Sequence, residues 1–419
     1  MKDEIETGEI KINDNKKVCG LFLAPCFLLI VFVIAAASLK QTLHTINETP
    51  FEAKSFKTAA QSTKGNIDGI YRDMLDFVSP FPVNRGTYIE LHGLLARLMG
   101  QRTMNQITKL NNGHLTWTPS NSRTDPSVSA FAASAVTRFK DFCEGRNIPF
   151  LYIQAPFHLC GQDRQLPAEM ASFTNEEMDA FAVQLREAGV EVMDLHRLLH
   201  EDGMDHYRAF FKTDHHWTPE TGFWAAGKIL RGLTERGILQ EPDPALVDMA
   251  NYHIEVFSGI FMGSHAWRTG AAFGGVDDIS LIYPKFETAL RLSGNGVDRR
   301  GSFKEVMFGM DRMKRGFQQN PYAVYPVHGD GILHFNNPAA KNKKTILFAS
   351  DSFGLVCTPF VSLSVEHVFW YYSDSYHWDT VIDAVTALNP DGVVILLNLA
   401  GARGTPLQNL AKTMDQYAE

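Results

Sequence analysis

Residues 345–354 read TILFASDSFG, a short apolar run followed by a turn-forming sequence that ends in glycine. The apolar run at 345–349 has the length of a strand buried on both faces and is too short for a buried helix. Similar runs occur at 149–153, 190–193, 365–370 and 393–397. Helical periodicity alternates with them at 127–143, 173–188, 220–236 and 379–388. This alternation predicts an α/β domain whose mainly parallel sheet is covered by helices on both faces.

The serine of this turn, Ser352, directly follows the predicted end of a strand. Open α/β sheets bind ligands at the carboxyl edge of their strands, and hydrolases present a nucleophilic serine in a tight strand-to-helix turn. A serine hydroxyl is a weak nucleophile and needs a base within hydrogen-bond reach. An ordinary turn serine is the alternative, so the interpretation depends on finding that base elsewhere in the chain.

Residues 213–219, TDHHWTP, offer such a base. Thr218 is a suitable N-cap and Pro219 a suitable first residue for the helix predicted at 220–236. Asp214 and His216 therefore lie in a loop just before a helix, where a general base and its orienting carboxylate are often found. Taken alone, the motif is equally consistent with a helix-capping turn. Together with Ser352, it favours a Ser-His-Asp arrangement.

The sequence gives less support for a metal or cofactor site than for a Ser-His-Asp arrangement. An Asp-His-His string also occurs in metal-dependent phosphoesterases, but those enzymes need further aspartates earlier in the domain, and no Asp-x-Asp precedes residue 214. The chain has neither a phosphate loop nor a dinucleotide glycine fingerprint. Four histidines are scattered without a His-x-x-x-His spacing: His253, His265, His328 and His334. We therefore expect no metal and no cofactor.

The overall composition favours one large globular core. Hydrophobic residues make up 45% of the chain and aromatic residues 11%. The net charge of −8 and the absence of a long basic run give no support to a nucleic-acid partner. Outside residues 18–39 there are three cysteines, Cys143, Cys160 and Cys357, which argues against a disulfide framework but leaves one bridge open.

The N-terminal region predicts a membrane anchor. Residues 18–39 carry no charge and are long enough, as a helix, to span a bilayer. A cleaved signal peptide is the alternative, but the acid-rich leader at 1–17 and the length of the apolar run favour an uncleaved anchor. We expect a cytoplasmic tail at 1–17, a transmembrane helix at 18–39 and a juxtamembrane connector at 40–79. The remaining chain would then lie outside the cell membrane, in the periplasm or the extracellular space.

The two motifs, at residues 213–218 and 351–353, together resemble those of a known family. Residues 213–218, TDHHWT, followed far downstream by a strand and the Asp-Ser-Phe of 351–353, resemble the DHHW group of SGNH-hydrolase-like proteins. This group is related to the alginate O-acetyltransferases (AlgX/AlgJ-like). Segments at 152–156, 261–268 and 359–363 are also similar to the group. The resemblance covers residues 80–400. Residues 240–340 are rich in glycine, proline, asparagine and aromatic residues and break the alternation of helix and strand, which predicts an irregular β-rich insertion beside the core. Residues 401–419 are expected to form a C-terminal tail.

The resemblance implies a three-layer α/β/α domain and a set of roles. Ser352 would be the nucleophile, His216 the base and Asp214 the residue that orients it. The backbone N–H of Ser352 would bind the oxyanion first. Further oxyanion or substrate contacts are expected from Gly263, Arg268, Asn398 and His215, although a purely structural role for His215 is equally well supported.

The predicted anchor and the resemblance together imply a membrane-anchored O-acyltransferase. The transferred group is expected to be acetyl, and the acceptor a cell-surface polysaccharide. The relatives suggest a partner, a multi-pass membrane protein that supplies acetyl groups. A carbohydrate esterase with the same triad is an alternative, since water can replace the sugar hydroxyl. A glycan-binding scaffold on a degenerate hydrolase fold is another.

Overall fold

The computed structural model describes residues 85–161, 163–317, 319–326, 331–372, 377–398 and 405–417. The predicted cytoplasmic tail (1–17), anchor (18–39) and connector (40–79) lie outside these residues. Within them, no helix combines the length and the apolar character needed to cross a bilayer.

An eight-stranded sheet forms the centre of the described part of the chain, in the spatial order β5-β4-β13-β11-β12-β10-β8-β9. Two smaller sheets, β1-β2-β3 and β6-β7, accompany it. The strands are β1 (Thr103–Met104), β2 (Ile107–Lys109), β3 (Leu115–Trp117), β4 (Phe150–Gln154), β5 (Val192–Asp194), β6 (Tyr252–Phe261), β7 (Asp277–Pro284), β8 (Leu290–Gly294), β9 (Val297–Gly301), β10 (Ile332–Asn336), β11 (Asn342–Ser350), β12 (Val365–Tyr372) and β13 (Gly392–Leu397).

The central sheet is mixed rather than mainly parallel. Strands β5, β4, β13, β11 and β12 run parallel, and all of them were predicted from apolar runs. Strands β10, β8 and β9 then continue the sheet in antiparallel pairing. These three strands belong to the 240–340 insertion, which was expected to stand beside the core. Instead, part of it pairs with the free edge of β12 and so covers backbone groups that would otherwise remain unpaired.

Helices cover both faces of the parallel strands, as the three-layer prediction requires. The helices are α1 (Arg85–Leu98), α2 (Pro126–Glu144), α3 (Thr174–Glu187), α4 (Leu195–Glu201), α5 (Pro219–Glu235), α6 (Pro244–Val247), α7 (Ser264–Thr269), α8 (Ala271–Gly274), α9 (Phe303–Met307), α10 (Gly354–Val361), α11 (Trp378–Leu388) and α12 (Thr405–Gln416). Short 3-10 turns lie at Tyr207–Ala209, Met249–Asn251, Met310–Arg312 and Pro321–Val324.

Strand β11 shows why the sheet is covered on both sides. Ile346 and Phe348 point into one hydrophobic cluster with α5 and α10, whereas Leu347 and Ala349 point into another with α2, α3, α11 and α12. All four side chains are fully buried. A strand with apolar residues on both faces is stable only when helices exclude water from each face, because successive side chains alternate across the sheet.

The three cysteines among the described residues form no disulfide bridge. Cys143, Cys160 and Cys357 are each buried as free thiols. Burial raises the pKa of both Cys143 and Cys357 to about 12, so these two behave as small core residues.

Residues 401–419, predicted as a tail that follows the domain, contain helix α12. Its fully buried Leu407, Leu410 and Ala411 lie in the same hydrophobic cluster as α2. Arg138 of α2 also donates a hydrogen bond to the carbonyl of Ala411 (3.2 Å). The helix is therefore part of the core on this face of the sheet.

Replacing Leu410 with alanine should lower the free energy of unfolding by about 2–5 kcal/mol, because the change leaves a cavity at a fully buried site. Denaturant unfolding followed by circular dichroism measures this loss. Gln408 is exposed on the same helix, and Gln408→Ala should change stability by no more than about 0.5 kcal/mol. Equal stabilities of the two variants would mean that α12 does not pack on the core.

Candidate active site

Ser352 lies in the turn between β11 and α10, at the carboxyl edge of the parallel strands. The carboxylate of Asp351 fixes this turn. One oxygen accepts the N–H of Phe353 (3.0 Å), and the other accepts the N–H of Asn398 (2.7 Å), which follows the neighbouring strand β13. Asp351 thus ties two adjacent strand ends together and holds the serine between them.

The start of α10 needs a glycine. The hydroxyl of Ser350 accepts a hydrogen bond from the indole N–H of Trp370 (2.8 Å) and lies beneath Gly354. A Cβ at position 354 would come within 1.8 Å of that hydroxyl oxygen, closer than any side chain permits. The sharp turn that exposes Ser352 therefore depends on this absence of a side chain.

The Asp-His loop is closed at its base by short-range backbone pairing. Phe210 and Trp217 form an isolated β-bridge, and Phe211 N–H donates to the carbonyl of His216 (3.2 Å). Thr218 then caps α5 with its side-chain oxygen, and Pro219 is the first helical residue. Both features of this helix start were predicted from the sequence.

The loop brings the three predicted side chains into one hydrogen-bonded line. His216 Nε2 lies 2.6 Å from Ser352 Oγ, and His216 Nδ1 lies 2.5 Å from Asp214 Oδ1. A proton on Nδ1, facing the carboxylate, leaves the lone pair of Nε2 directed at the serine hydroxyl. The geometry therefore suits removal of the hydroxyl proton by the imidazole.

Asp214 is buried, with only 3% of its surface exposed. Its Oδ1 also accepts the backbone N–H of His216 (2.9 Å), and its Oδ2 accepts the backbone N–H of Ser264 (2.6 Å). Burial by itself raises the pKa of this carboxyl, but the adjacent rings of His216 and His215 outweigh burial and hold the pKa of Asp214 well below its usual value. The carboxylate therefore stays ionised next to the imidazole.

The insertion supplies contacts that the sequence did not reveal. Ser264, at the start of α7, binds Asp214 as described. Tyr322 is fully buried and stacks on the ring of His216, with ring centroids 4.4 Å apart and an interplanar angle of 20°. The imidazole is thereby held on one face by an aromatic ring and at both nitrogens by hydrogen bonds. These contacts bring two segments of residues 240–340 into the site.

Gly263 has a steric role. Its N–H donates to Thr213 Oγ1 (3.0 Å) and is therefore not directed at Ser352, where an oxyanion donor was expected. A Cβ at position 263 would lie 2.4 Å from the carbonyl oxygen of Thr213 and 2.5 Å from the Cβ of Asp214. Glycine thus allows α7 to approach the Asp-His loop closely enough for Ser264 to reach Asp214.

Asn398, Arg268 and His215 were also predicted to contact the oxyanion or the substrate. The backbone N–H of Asn398 donates a hydrogen bond to the carboxylate of Asp351. Arg268 is exposed, and its guanidinium lies over the ring of Trp117, 4.6 Å from the centroid. His215 packs beside His216 with ring centroids 3.8 Å apart, and its Nδ1 lies 3.0 Å from Ser264 Oγ. Burial and the neighbouring His216 lower the pKa of His215 to about 3.

The described residues include a further histidine cluster, which was not predicted from the sequence. His196 and His200 have the His-x-x-x-His spacing on α4 that the histidines considered above lack. His206 and Cys160 lie close to them. The spacing is visible in the sequence, whereas the approach of Cys160 depends on the tertiary fold.

Comparison with known proteins supports the resemblance stated above. The family of SGNH hydrolase-like domains of the acetyltransferase AlgX matches residues 120–254, a segment that holds Asp214 and His216 but ends before Ser352. This match and the α/β fold described above agree with the predicted SGNH-hydrolase-like domain. A comparison with curated protein sequences gave no significant match.

Three solved structures with TM-scores above 0.5 share the fold. PatB1 of Bacillus cereus has a TM-score of 0.59 and 16% identity over 72% of this chain and 98% of its own. A second structure of that protein carries a sulfonyl adduct. A DHHW family protein from Eubacterium siraeum DSM 15702 has a TM-score of 0.54 and 16% identity over 74% of this chain and 96% of its own. The O-acetyltransferase domain of Pseudomonas putida AlgJ gives a TM-score of 0.46 and 11% identity over 73% of this chain and 99% of its own.

Replacing Gly263 with alanine should destabilise the protein by about 1–3 kcal/mol, because the new methyl group must displace the backbone of Thr213. Denaturant unfolding measures the loss. Gly227 is the matched control: a Cβ there would meet its nearest neighbours at 3.7 Å, and it lies inside α5. Gly227→Ala should therefore be neutral or stabilise by about 0.5–1 kcal/mol. A Gly263→Ala variant as stable as Gly227→Ala would contradict the steric role.

Proposed function

We propose that this protein is an O-acyltransferase that moves an acyl group, acetyl in the first instance, onto a hydroxyl of a cell-surface polysaccharide. The observation that carries the proposal is the line from Ser352 Oγ through His216 to Asp214, with contacts of 2.6 and 2.5 Å. The match to an acetyltransferase family supports the choice of acyl chemistry.

In the first half of the reaction, His216 Nε2 takes the proton of Ser352 as Oγ attacks the carbonyl carbon of the acyl donor. The tetrahedral intermediate collapses, the donor's alcohol leaves with the proton from His216, and an acyl-serine remains. Asp214 stabilises the imidazolium that exists between these two transfers. Its ionised state and its two hydrogen bonds to His216 suit it to that task.

The negatively charged oxygen of the tetrahedral intermediate needs a hydrogen-bond donor near Ser352. No acceptor within the described residues takes the backbone N–H of Ser352, whereas the N–H of Phe353 is bound by Asp351. The Ser352 N–H is therefore the oxyanion donor that we assign, in agreement with the sequence-based expectation.

In the second half, a sugar hydroxyl replaces the departed alcohol. His216 removes its proton, the oxygen attacks the acyl-serine, and the collapse of the second intermediate releases the ester and returns the proton to Ser352. Water in the same position would make the protein an esterase. The acceptor, rather than the triad, decides between the two activities.

The cellular setting extends the proposal. The apolar segment at 18–39 supports a single-pass anchor that keeps the domain outside the cell membrane, next to the polysaccharide. As the family resemblance implies, we propose as the partner a multi-pass membrane protein that passes acetyl groups across the bilayer.

Ser352 should be the residue that an aryl sulfonyl fluoride modifies in the purified protein. Peptide mass spectrometry should find the adduct on Ser352, and Ser352→Ala should remain unlabelled. Ser122→Ala, which changes an exposed serine, should be labelled like the parent. His216→Ala should slow both labelling and the release of p-nitrophenol from p-nitrophenyl acetate by at least about 1,000-fold, because the serine loses its base. Unchanged labelling of Ser352→Ala would rule out the nucleophile assigned here.

A second experiment distinguishes acetyl transfer to a sugar from hydrolysis of the acetyl ester. The protein is incubated with p-nitrophenyl acetate and an acetyl-free envelope oligosaccharide, and the sugar is analysed by mass spectrometry. We expect the mass of one or more acetyl groups on the sugar, lost in Ser352→Ala. Acetate release without acetylated sugar would favour the esterase. Sugar binding without any turnover or labelling would favour a non-catalytic scaffold.

A further inference from the structure

A compact group of nitrogen and sulfur donors lies outside the triad. Cys160 follows β4, His196 and His200 lie four residues apart on α4, and His206 begins the turn that leads into the Asp-His loop. One ring nitrogen each of His200 and His206 and the Sγ of Cys160 all lie within 4.8 Å of one another. The ring centroid of His196 lies 5.0 Å from that of His200.

These donors carry unused lone pairs. His206 Nε2 lies 3.1 Å from the carbonyl oxygen of His158, so the proton of this buried ring is placed on Nε2 and its Nδ1 keeps a lone pair. His206 Nδ1, His200 Nε2 and His196 Nδ1 are all buried and have no hydrogen-bond partner among the described residues. Buried polar atoms without partners are rare in folded proteins, and a bound ion is one recognised reason for them.

We propose that Cys160, His200 and His206 bind a divalent transition-metal ion, zinc in preference, with His196 placed as the fourth ligand. Thiolate and imidazole donors are those that zinc selects in proteins. The hydrogen bond from His206 Nε2 to a backbone carbonyl is the arrangement that orients a metal-binding imidazole.

The distances between the donor atoms fit a tetrahedral zinc site after small side-chain rotations. Tetrahedral zinc with bonds of about 2.0–2.3 Å places its donors about 3.3–3.6 Å apart, so a group already within 4.8 Å closes by roughly 1 Å. The thiol of Cys160 loses its proton to solvent as the sulfur–metal bond forms. A groove of about 750 Å³, lined by His196 and His200 among others, gives the ion a route from solvent.

The bound ion would join three segments that are distant in sequence. It would connect the end of β4, helix α4 and the residues just before the Asp-His loop. His158 continues this link, because its Nε2 lies 3.2 Å from the carbonyl oxygen of Phe211 at the base of that loop. The ion would therefore stabilise the segment on which Asp214 and His216 are mounted. This inference does not rest on the proposed acyl transfer.

The test uses the full-length protein, stripped with a chelator and titrated with Zn²⁺ by calorimetry. We expect one ion per chain, release of about one proton per ion in buffers of different ionisation enthalpy, and a higher midpoint of thermal unfolding. Co²⁺ should give the intense visible bands of a tetrahedral site and a thiolate charge-transfer band in the near ultraviolet. Cys160→Ser and His200→Gln should each weaken Zn²⁺ binding by about 100-fold or more, since even the loss of an outer-shell partner costs 10–100-fold.

The exposed His253 is the matched control, and His253→Gln should bind Zn²⁺ like the parent. Circular dichroism establishes that Cys160→Ser is folded, which is expected because serine is nearly the same size as cysteine. Absence of Zn²⁺ and Co²⁺ binding would overturn the proposal. So would Zn²⁺ binding that a folded Cys160→Ser variant leaves unchanged, or binding of Cu²⁺ alone.

Discussion

The buried carboxylate of Asp214 is the constraint on which the site depends. An ionised group with 3% exposure is stable only when its oxygens are hydrogen-bonded, because removing a carboxylate from water costs several kcal/mol. Its donors come from His216 in the same loop and from Ser264, 50 residues further along the chain. The loop and the insertion must therefore fold together, and Gly263 permits the approach. Removing either donor segment would leave one buried carboxylate oxygen without a hydrogen bond.

Local patterns in the sequence account for the parallel half of the fold. Strand β11 and its neighbours were predictable because burial on both faces requires continuous apolar runs, and α5 was predictable because Thr218 and Pro219 mark its start. The antiparallel strands β8, β9 and β10 were not placed. Alternation of buried and exposed residues indicates a half-buried strand, but it does not say which edge the strand joins. Helix α12 was missed because its burial depends on α2, which is remote in the sequence.

In the candidate active site, too, some contacts follow from local sequence and others depend on tertiary packing. Asp214 and His216 are two residues apart, so their hydrogen bond was expected from the motif. The link to Ser352 was expected because this serine follows a parallel strand and needs a base, and the family resemblance supported it. Ser264 and Tyr322 reach the triad through tertiary packing and have no local signal. Gly263 and Asn398 were expected to offer N–H groups to substrate, yet those groups are used to hold Thr213 and Asp351. In this site, much of the backbone serves to position the reacting side chains.

The stacking of Tyr322 on His216 has a consequence for the order of events in the proposed reaction. With one ring face covered and both nitrogens engaged, the imidazole has no free rotation with which to deliver a proton elsewhere. Every proton that leaves or returns must pass through the same nitrogen, Nε2. The oxygen of the departing alcohol and the oxygen of the arriving acceptor must therefore occupy the same point in space, one after the other. In the proposed reaction, the departing alcohol and the acceptor would therefore compete for this one position.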